Sequence, residues 1–494
     1  MERGFLTIEL LIALAILTLS LSSISLVLFG LPEMIENAHL EKDALSIARS
    51  LIEKEQTFSN GRFLDGFDYS GTVDDGFDYT VSGLPLADEG ILEVIVSVSW
   101  KDVRLRDRSL VLQSTITDHR HASVYSCNAR LAGDWSSASV EEHLLSPGSL
   151  LPAGMFMQSY RADVVAASRT HIAVAARSTL MAIDPTIFIF AIEEDVPIYR
   201  GSIDTTATTA GVNDMAIVEP YLYVASASTC TNGPLCGQLQ IIDLSDPELP
   251  VMAGRLQLAQ NSPPFASSGS APIAASSIAI RDSMLFLGLE QITNPSGEEF
   301  VMIDISDLRN PTYYASLRTS KTINSVTVRG TRAYLGTNDR AHGDVVSIDL
   351  TVPEEPAILA VFAAPPLSTG SKFGYVHDVQ FAGNAVFAAR TYVSNANELY
   401  TLDSKTLAAR ASRDIGTLTH RLSAESIRIR GTLLALLTNE ELQFWDVLDP
   451  SEPHRISTSI ALTGEGTDMA CAKNALYVAS TLDGIGRLTV ITGS

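Results

Sequence analysis

Three groups of residues have the types and spacing that chemistry would require. His377 and Asp378 are adjacent in Gly374-Tyr-Val-His-Asp378. A histidine there can bind a ligand or move a proton. Aspartates also recur ahead of comparable apolar runs at Asp163, Asp214 and Asp468, with no histidine beside them. Asp378 therefore reads as a property of a repeat, capping a turn. The second group is the cysteines, Cys127, Cys230, Cys236 and Cys471, none in a CxxC pair, which argues against a zinc site. Cys230-Thr-Asn-Gly-Pro-Leu-Cys236 reads as a loop closed on itself around turn-forming Asn-Gly-Pro. Cys127 and Cys471 are then left to pair across a long separation. The third is Glu9, the one charge in the apolar run from Phe5 to Phe29. A carboxylate in hydrocarbon costs about 2.5–3.5 kcal/mol, so an acid there calls for a function. The nine histidines are scattered, and no Gly-x-Ser-x-Gly, His-Glu-x-x-His or phosphate loop is present. No catalytic residue, cofactor or metal is expected, and the chain reads as a non-enzyme.

The element that would hold Glu9 is the run itself. Its length, about 25 residues, exceeds the about 20 that a bilayer core needs. Only Met1-Glu-Arg-Gly4 precedes it, too short for an ordinary secretory signal. The motif Arg3-Gly4-Phe5-Leu6-Thr7-Ile8-Glu9-Leu10-Leu11 resembles the leader of type IV pilins and type II secretion pseudopilins, with Leu6-Thr7 where that family has Thr-Leu. The resemblance implies cleavage by a prepilin peptidase between Gly4 and Phe5, and N-methylation of Phe5. It also implies an assembly role for Glu9, whose carboxylate would meet the Phe5 amine of an adjacent subunit. From Glu33 to about residue 57 apolar residues recur near the helical period, at Ile35, Ala38, Leu45, Ala48, Leu51 and Ile52. A helix over 5–57 follows, with a membrane half over 5–29 and an amphipathic half over 33–57.

The doubled Asp65-Gly66 and Asp75-Gly76 mark turns between short strands, and the runs 92–100 and 108–117 read as a strand pair. Helix, loop and strand pair together resemble minor pilins and pseudopilins as far as residue 118. Residues 119–151 read as connecting chain. From 152 to 494 the chain repeats. The clearest unit runs Ser325-Val-Thr-Val-Arg-Gly330, Arg332-Ala-Tyr-Leu-Gly336, Asp344-Val-Val-Ser-Ile-Asp349 and Ala357-Ile-Leu-Ala-Val-Phe362. Seven such units, spaced about 42–63 residues apart, predict a β-propeller. The last unit ends one strand short, and the segment 155–160 is the expected supplier of its fourth strand. The turns Asp243-Leu-Ser-Asp-Pro247, Asp304-Ile-Ser-Asp307 and Asp446-Val-Leu-Asp-Pro450 resemble the LVIVD repeats of bacterial surface propellers. Asp and Pro there build the turn from third to fourth strand.

The expected fold is thus α+β followed by all-β: residues 1–4 a leader, 5–57 a long pilin helix, 58–118 a small β-domain, 119–151 a connector and 152–494 a seven-bladed propeller. The 34 basic against 57 acidic residues, a net −23, exclude nucleic acid as a partner. The expected function is a minor-pilin-like filament subunit displaying a propeller for adhesion or recognition at the filament tip. Its partners would be the prepilin peptidase, other pilin or pseudopilin subunits, the inner membrane before assembly, and an unknown surface ligand. It would sit in the inner membrane with a single pass, then in an extracellular filament or periplasmic pseudopilus. The alternatives are a type II secretion pseudopilin and a membrane-tethered envelope enzyme.

Overall fold

The structure is a computed structural model. It describes the elements below with most of their turns. Residues 1–4, 59–66, 74–75, 86–90, 103, 105, 118–134, 136–137, 145–159, 179–185, 194–195, 206–210, 227–236, 259–273, 292–297, 339–343, 364–374, 393–396, 417–421, 431, 457–458 and 494 lie outside it. Gly4, Cys127, Cys230 and Cys236 fall among these, and the side chains of Phe5 and Glu9 are likewise outside the described residues. The chain divides into two compact units, taken separately here.

The first unit joins helix α1 (Phe5–Phe58) to strands β1 (Phe67–Val73), β2 (Phe77–Pro85), β3 (Ile91–Lys101) and β4 (Asp107–Thr117), antiparallel in that order. Alternation along β3 turns Val94, Val96, Val98 and Trp100 to one face. Ala44, Ala48 and Leu51, spaced to share one stripe of α1, pack with them and with Phe77 and Val81.

Two expectations are corrected. Among the described residues 33 strands accompany one helix, so the chain is nearly all-β rather than α+β followed by all-β. No helix of the described residues is long and apolar enough to cross a membrane. The reading of this segment as a membrane-crossing pilin helix, and with it the single-pass inner-membrane placement, is set aside.

The second unit is seven antiparallel sheets of four consecutive positions each. Blades 1 to 6 span 160–204, 212–256, 275–317, 322–363, 376–413 and 424–461, and blade 7 takes 465–492. Blade 7 borrows its fourth strand from Ser139–Leu144, which pairs with Ile485–Thr492. This corrects the expectation of 155–160: Tyr160 already opens the innermost strand of blade 1. Ser139-Val-Glu-Glu-His-Leu suits an outer position because its carboxylates meet solvent, and Arg487 Nη1 donates to Glu142 Oε2 at 2.6 Å. Both ends of the propeller sequence thus share one blade, which leaves no open seam. Cys471 lies in the innermost strand of blade 7 and is disulfide-bonded.

A candidate ligand site at the channel mouth

The innermost strands of the seven blades are Tyr160–Ala167, Val212–Val218, Ala275–Arg281, Thr322–Arg329, Val376–Ala382, Ala424–Arg430 and Glu465–Ala472. Each carries a register shift near its start. In blade 1, Ala162 opposes Ala176 and Val164 opposes Ala175, so Asp163 has no partner across the strand pair. The same shift extrudes Asn213, Ser276, Asn324, His377, Glu425 and Thr467. A bulge of this kind re-aims a side chain and increases local twist. Here it turns seven polar side chains to one end of the central channel, where all seven line a cavity of about 690 Å³.

Most of these side chains hold the ring together. Asn213 Nδ2 donates to the Ala275 carbonyl of the next blade at 2.7 Å, and Ser276 Oγ to the Ile323 carbonyl at 2.5 Å. Asn324 Nδ2 reaches the Val376 carbonyl at 3.1 Å, and Thr467 Oγ1 the Ala162 carbonyl at 3.1 Å. The residue after the bulge returns the contact. The Ile278 amide donates to Asp214 at 2.8 Å, the Val379 amide to Ser325 at 3.1 Å, the Ile427 amide to Asp378 at 2.9 Å and the Val165 amide to Asp468 at 3.0 Å. At the junctions of blades 2 and 3, 4 and 5, and 7 and 1, the donor and the acceptor thus stand on adjacent residues.

Three bulge positions break this rule. Asp163 and Glu425 are carboxylates and cannot donate to a carbonyl, and His377 turns elsewhere. Asp163 is held by Arg177, with Nη2 at 2.8 Å and Nε at 2.9 Å. His377 Nε2 lies 3.0 Å from Thr391 Oγ1, and His377 Nδ1 lies 3.5 Å from Glu425 Oε2. His377 and Glu425 therefore face each other across adjacent blades.

Deeper in the channel Arg428 is the one lysine or arginine among the described residues that line the cavity. The equivalent strand positions are Ala166, Ala216, Ala279, Thr327, Gln380 and Ala470. Its Nη1 donates to Asp378 at 2.8 Å, and Nη2 lies 3.6 Å from Asp468. Burial alone would lower the Arg428 pKa, but the Asp378, Asp468 and Asp214 carboxylates outweigh it and push it up. Burial, with the nearby Asp468 charge, raises Asp214 to about 8 despite its amide bonds from Ile278 and Met215. Burial likewise raises Asp468, against the Arg428 charge and the Val165 and Met469 amides.

The sequence reading placed Asp163, Asp214, Asp378 and Asp468 before the first strands as turn caps. All four lie inside those strands. Asp214, Asp378 and Asp468 cap the next blade's amide rather than a turn, and Asp163 is the bulge itself, one place earlier. The bulge ring was missed, although its signal was present: two adjacent polar residues open an otherwise apolar strand in six blades, as in Asn213-Asp214, Ser276-Ser277, Asn324-Ser325 and Thr467-Asp468. The aspartates of the outer turns behave as expected. Asp243, Asp304 and Asp446 each accept the amide two residues on, at 2.8, 2.8 and 2.9 Å. Among the described residues no group of three or more histidines, cysteines or acids is placed to hold a metal ion.

The seven sheets and their shared closing blade decide the architecture. The chain carries a seven-bladed β-propeller. Residues 211–257, which are blade 2 and its edges, match the LVIVD repeat. No curated protein sequence matches the chain. Among solved structures, the periplasmic gluconolactonase PpgL of Pseudomonas aeruginosa is similar over 60% of this chain and 84% of its own, at 11% identity and a TM-score of 0.47. Saccharomyces cerevisiae Sqt1 covers 65% of this chain and 80% of its own, at 11% identity and a TM-score of 0.42. The Dos1 propeller covers 81% and 89%, at 13% identity and a TM-score of 0.44.

Proposed function

We propose that the propeller is a recognition domain that takes its ligand at the channel mouth, and that the chain acts as a minor-pilin-like filament subunit displaying that domain for adhesion. The observation that carries the binding site is the break in the blade stitching. Four of seven bulge side chains donate to the neighbouring blade, whereas Asp163, His377 and Glu425 do not. Departures from an otherwise regular rule cluster where a protein spends stability on function. The cavity they border, about 690 Å³, lies within the size range of small-molecule sites. The filament role rests on Gly4, Phe5 and Glu9, whose spacing is that of the prepilin signal, with prepilin peptidase and other subunits as the partners. Tip placement follows from bulk, since a seven-bladed body on every subunit would crowd a filament.

The test is binding of labelled full chain to immobilised glycans and to whole cells, compared with a His377→Phe/Glu425→Leu double variant. Binding by the wild type that the variant loses supports the reading. Equal binding by both, or none by either, overturns it. For the filament role, a mature protein that begins at Phe5 and a Glu9→Ala variant missing from filaments are expected. A second reading, an envelope enzyme, draws on the chain of contacts Thr391–His377–Glu425, in which a glutamate orients a histidine against a hydroxyl. Hydrolysis of a chromogenic ester or lactone that His377→Phe abolishes would favour it.

A further inference from the structure

The stitching between blades takes up part of the polar lining at the mouth and leaves the rest for a ligand. Asn213 and Asn324 each spend one amide N–H on a neighbouring carbonyl, which leaves each an Oδ1 and a second N–H. Ser276 and Thr467 spend their hydroxyl protons in the same way. Arg428 is taken up by Asp378, by Asp468 and by the Ile427 carbonyl at 2.6 Å. Among the described lining residues there remain the carboxylate of Glu425, with His377 Nδ1 at 3.5 Å, the Glu290 carboxylate, and the side-chain amides of Asn213, Asn324 and Asn338. These groups come from blades 2, 3, 4 and 6 and so lie on several sides of the opening.

A ligand that satisfies them brings groups that both donate and accept along several edges, and at least one positive charge to meet Glu425 and Glu290. We propose, resting on the recognition reading above, that the channel mouth binds an amino sugar bearing a free ammonium group. The ammonium group meets Glu425, and ring hydroxyls donate to Asn213 Oδ1, Asn324 Oδ1 and Glu290. A lysine side chain or a linear polyamine carries the charge but lacks hydroxyls spread over a ring, so it reaches one arc of acceptors at a time. An N-acetylated sugar keeps the hydroxyls and loses the charge.

The experiment is isothermal titration of the full chain, at about 150 mM salt to screen non-specific attraction to its net negative surface, with four probes: the glucosamine tetramer, its fully N-acetylated counterpart, trilysine and spermidine. The glucosamine tetramer should bind, the acetylated tetramer at least tenfold more weakly, and trilysine and spermidine more weakly as well. Glu425→Gln should weaken glucosamine binding at least tenfold. Asp107→Asn, which neutralises an acid 91% exposed in the other unit, should leave it unchanged. Equal binding of the acetylated tetramer overturns the amino-sugar assignment while the recognition reading stands. Tighter binding of trilysine or spermidine overturns it in favour of a plain cation site. Loss of binding in Asp107→Asn as large as in Glu425→Gln shows non-specific attraction and overturns it too. If no probe binds, the assignment fails, and the glycan and cell-binding comparison then decides whether the recognition reading fails with it.

Discussion

Asp468 Oδ2 accepts the Val165 amide at 3.0 Å, joining residues 303 apart in sequence. This contact is the ring-closing copy of a bond that Asp214 and Asp378 make between consecutive blades. It therefore closes the ring where blade 7 meets blade 1. Asp468→Ala strands the Val165 amide and removes a charge partner of Arg428, and should cost about 2–4 kcal/mol in chemical denaturation. Asp468→Asn keeps an oxygen for the amide and should cost less than half as much.

Asp214 makes stability depend on pH in an unusual direction. Its folded pKa, about 8, lies above the ordinary aspartate value of 3.8, so the folded state binds more protons than the unfolded state between those values. Stability from this group is therefore full below pH 4 and declines as pH rises to about 8. Asp214→Asn mimics the protonated carboxyl. Melting curves should show the variant matching wild type near pH 4.5 and exceeding it near pH 8.

Glu219 gives the opposite sign. Burial would raise its pKa, but hydrogen bonds from His171, Ser168 and Thr170 hold it at about 2. His171 Nδ1 lies 3.1 Å from Glu219 Oε2 and ties the first hairpin of blade 1 to that of blade 2. This contribution is present above the ordinary glutamate value of 4.5 and is lost as pH falls toward about 2. Glu219→Gln should flatten the acid limb of the stability profile and leave the limb between pH 6 and 8 unchanged.

Gly254 marks a place where two blades touch through backbone. A Cβ there would sit 1.8 Å from the Leu308 carbonyl oxygen, in the outer turn of the next blade. Gly201 stands in the same relation to the next turn, 2.5 Å from the Pro247 carbonyl oxygen. Backbone cannot yield as a flexible side chain does, so Gly254→Ala should destabilise by about 1–3 kcal/mol. Denaturation that matched wild type would show that the outer turn moves freely.

The propeller was legible in the sequence because its strands are fully buried apolar runs punctuated by Asp-containing turns. Ser325-Val-Thr-Val, Ala333-Tyr-Leu-Gly and Val345-Val-Ser-Ile each became a strand of blade 4. The closing strand was misplaced because Ser139–Leu144 is polar on its outer side and leaves no apolar signature to read. The candidate site was half legible. His377-Asp378 stood out as a pair, but the two residues do different work: Asp378 stitches blades, and His377 faces Glu425 across 3.5 Å. Only the register shift separates these roles, and a one-residue bulge is invisible to a pattern of period two.

The central claim is that Asp163, His377 and Glu425 forgo a structural bond to shape a ligand site. Restoring the rule tests it. In a His377→Asn/Glu425→Asn variant each asparagine can donate to the next blade, as Asn213 and Asn324 do. Two regained bonds, each worth about 0.5–1.5 kcal/mol, should raise the melting temperature by a few degrees, while ligand binding by the full chain disappears. A variant that melts lower than wild type, or that melts higher and still binds, would contradict the account.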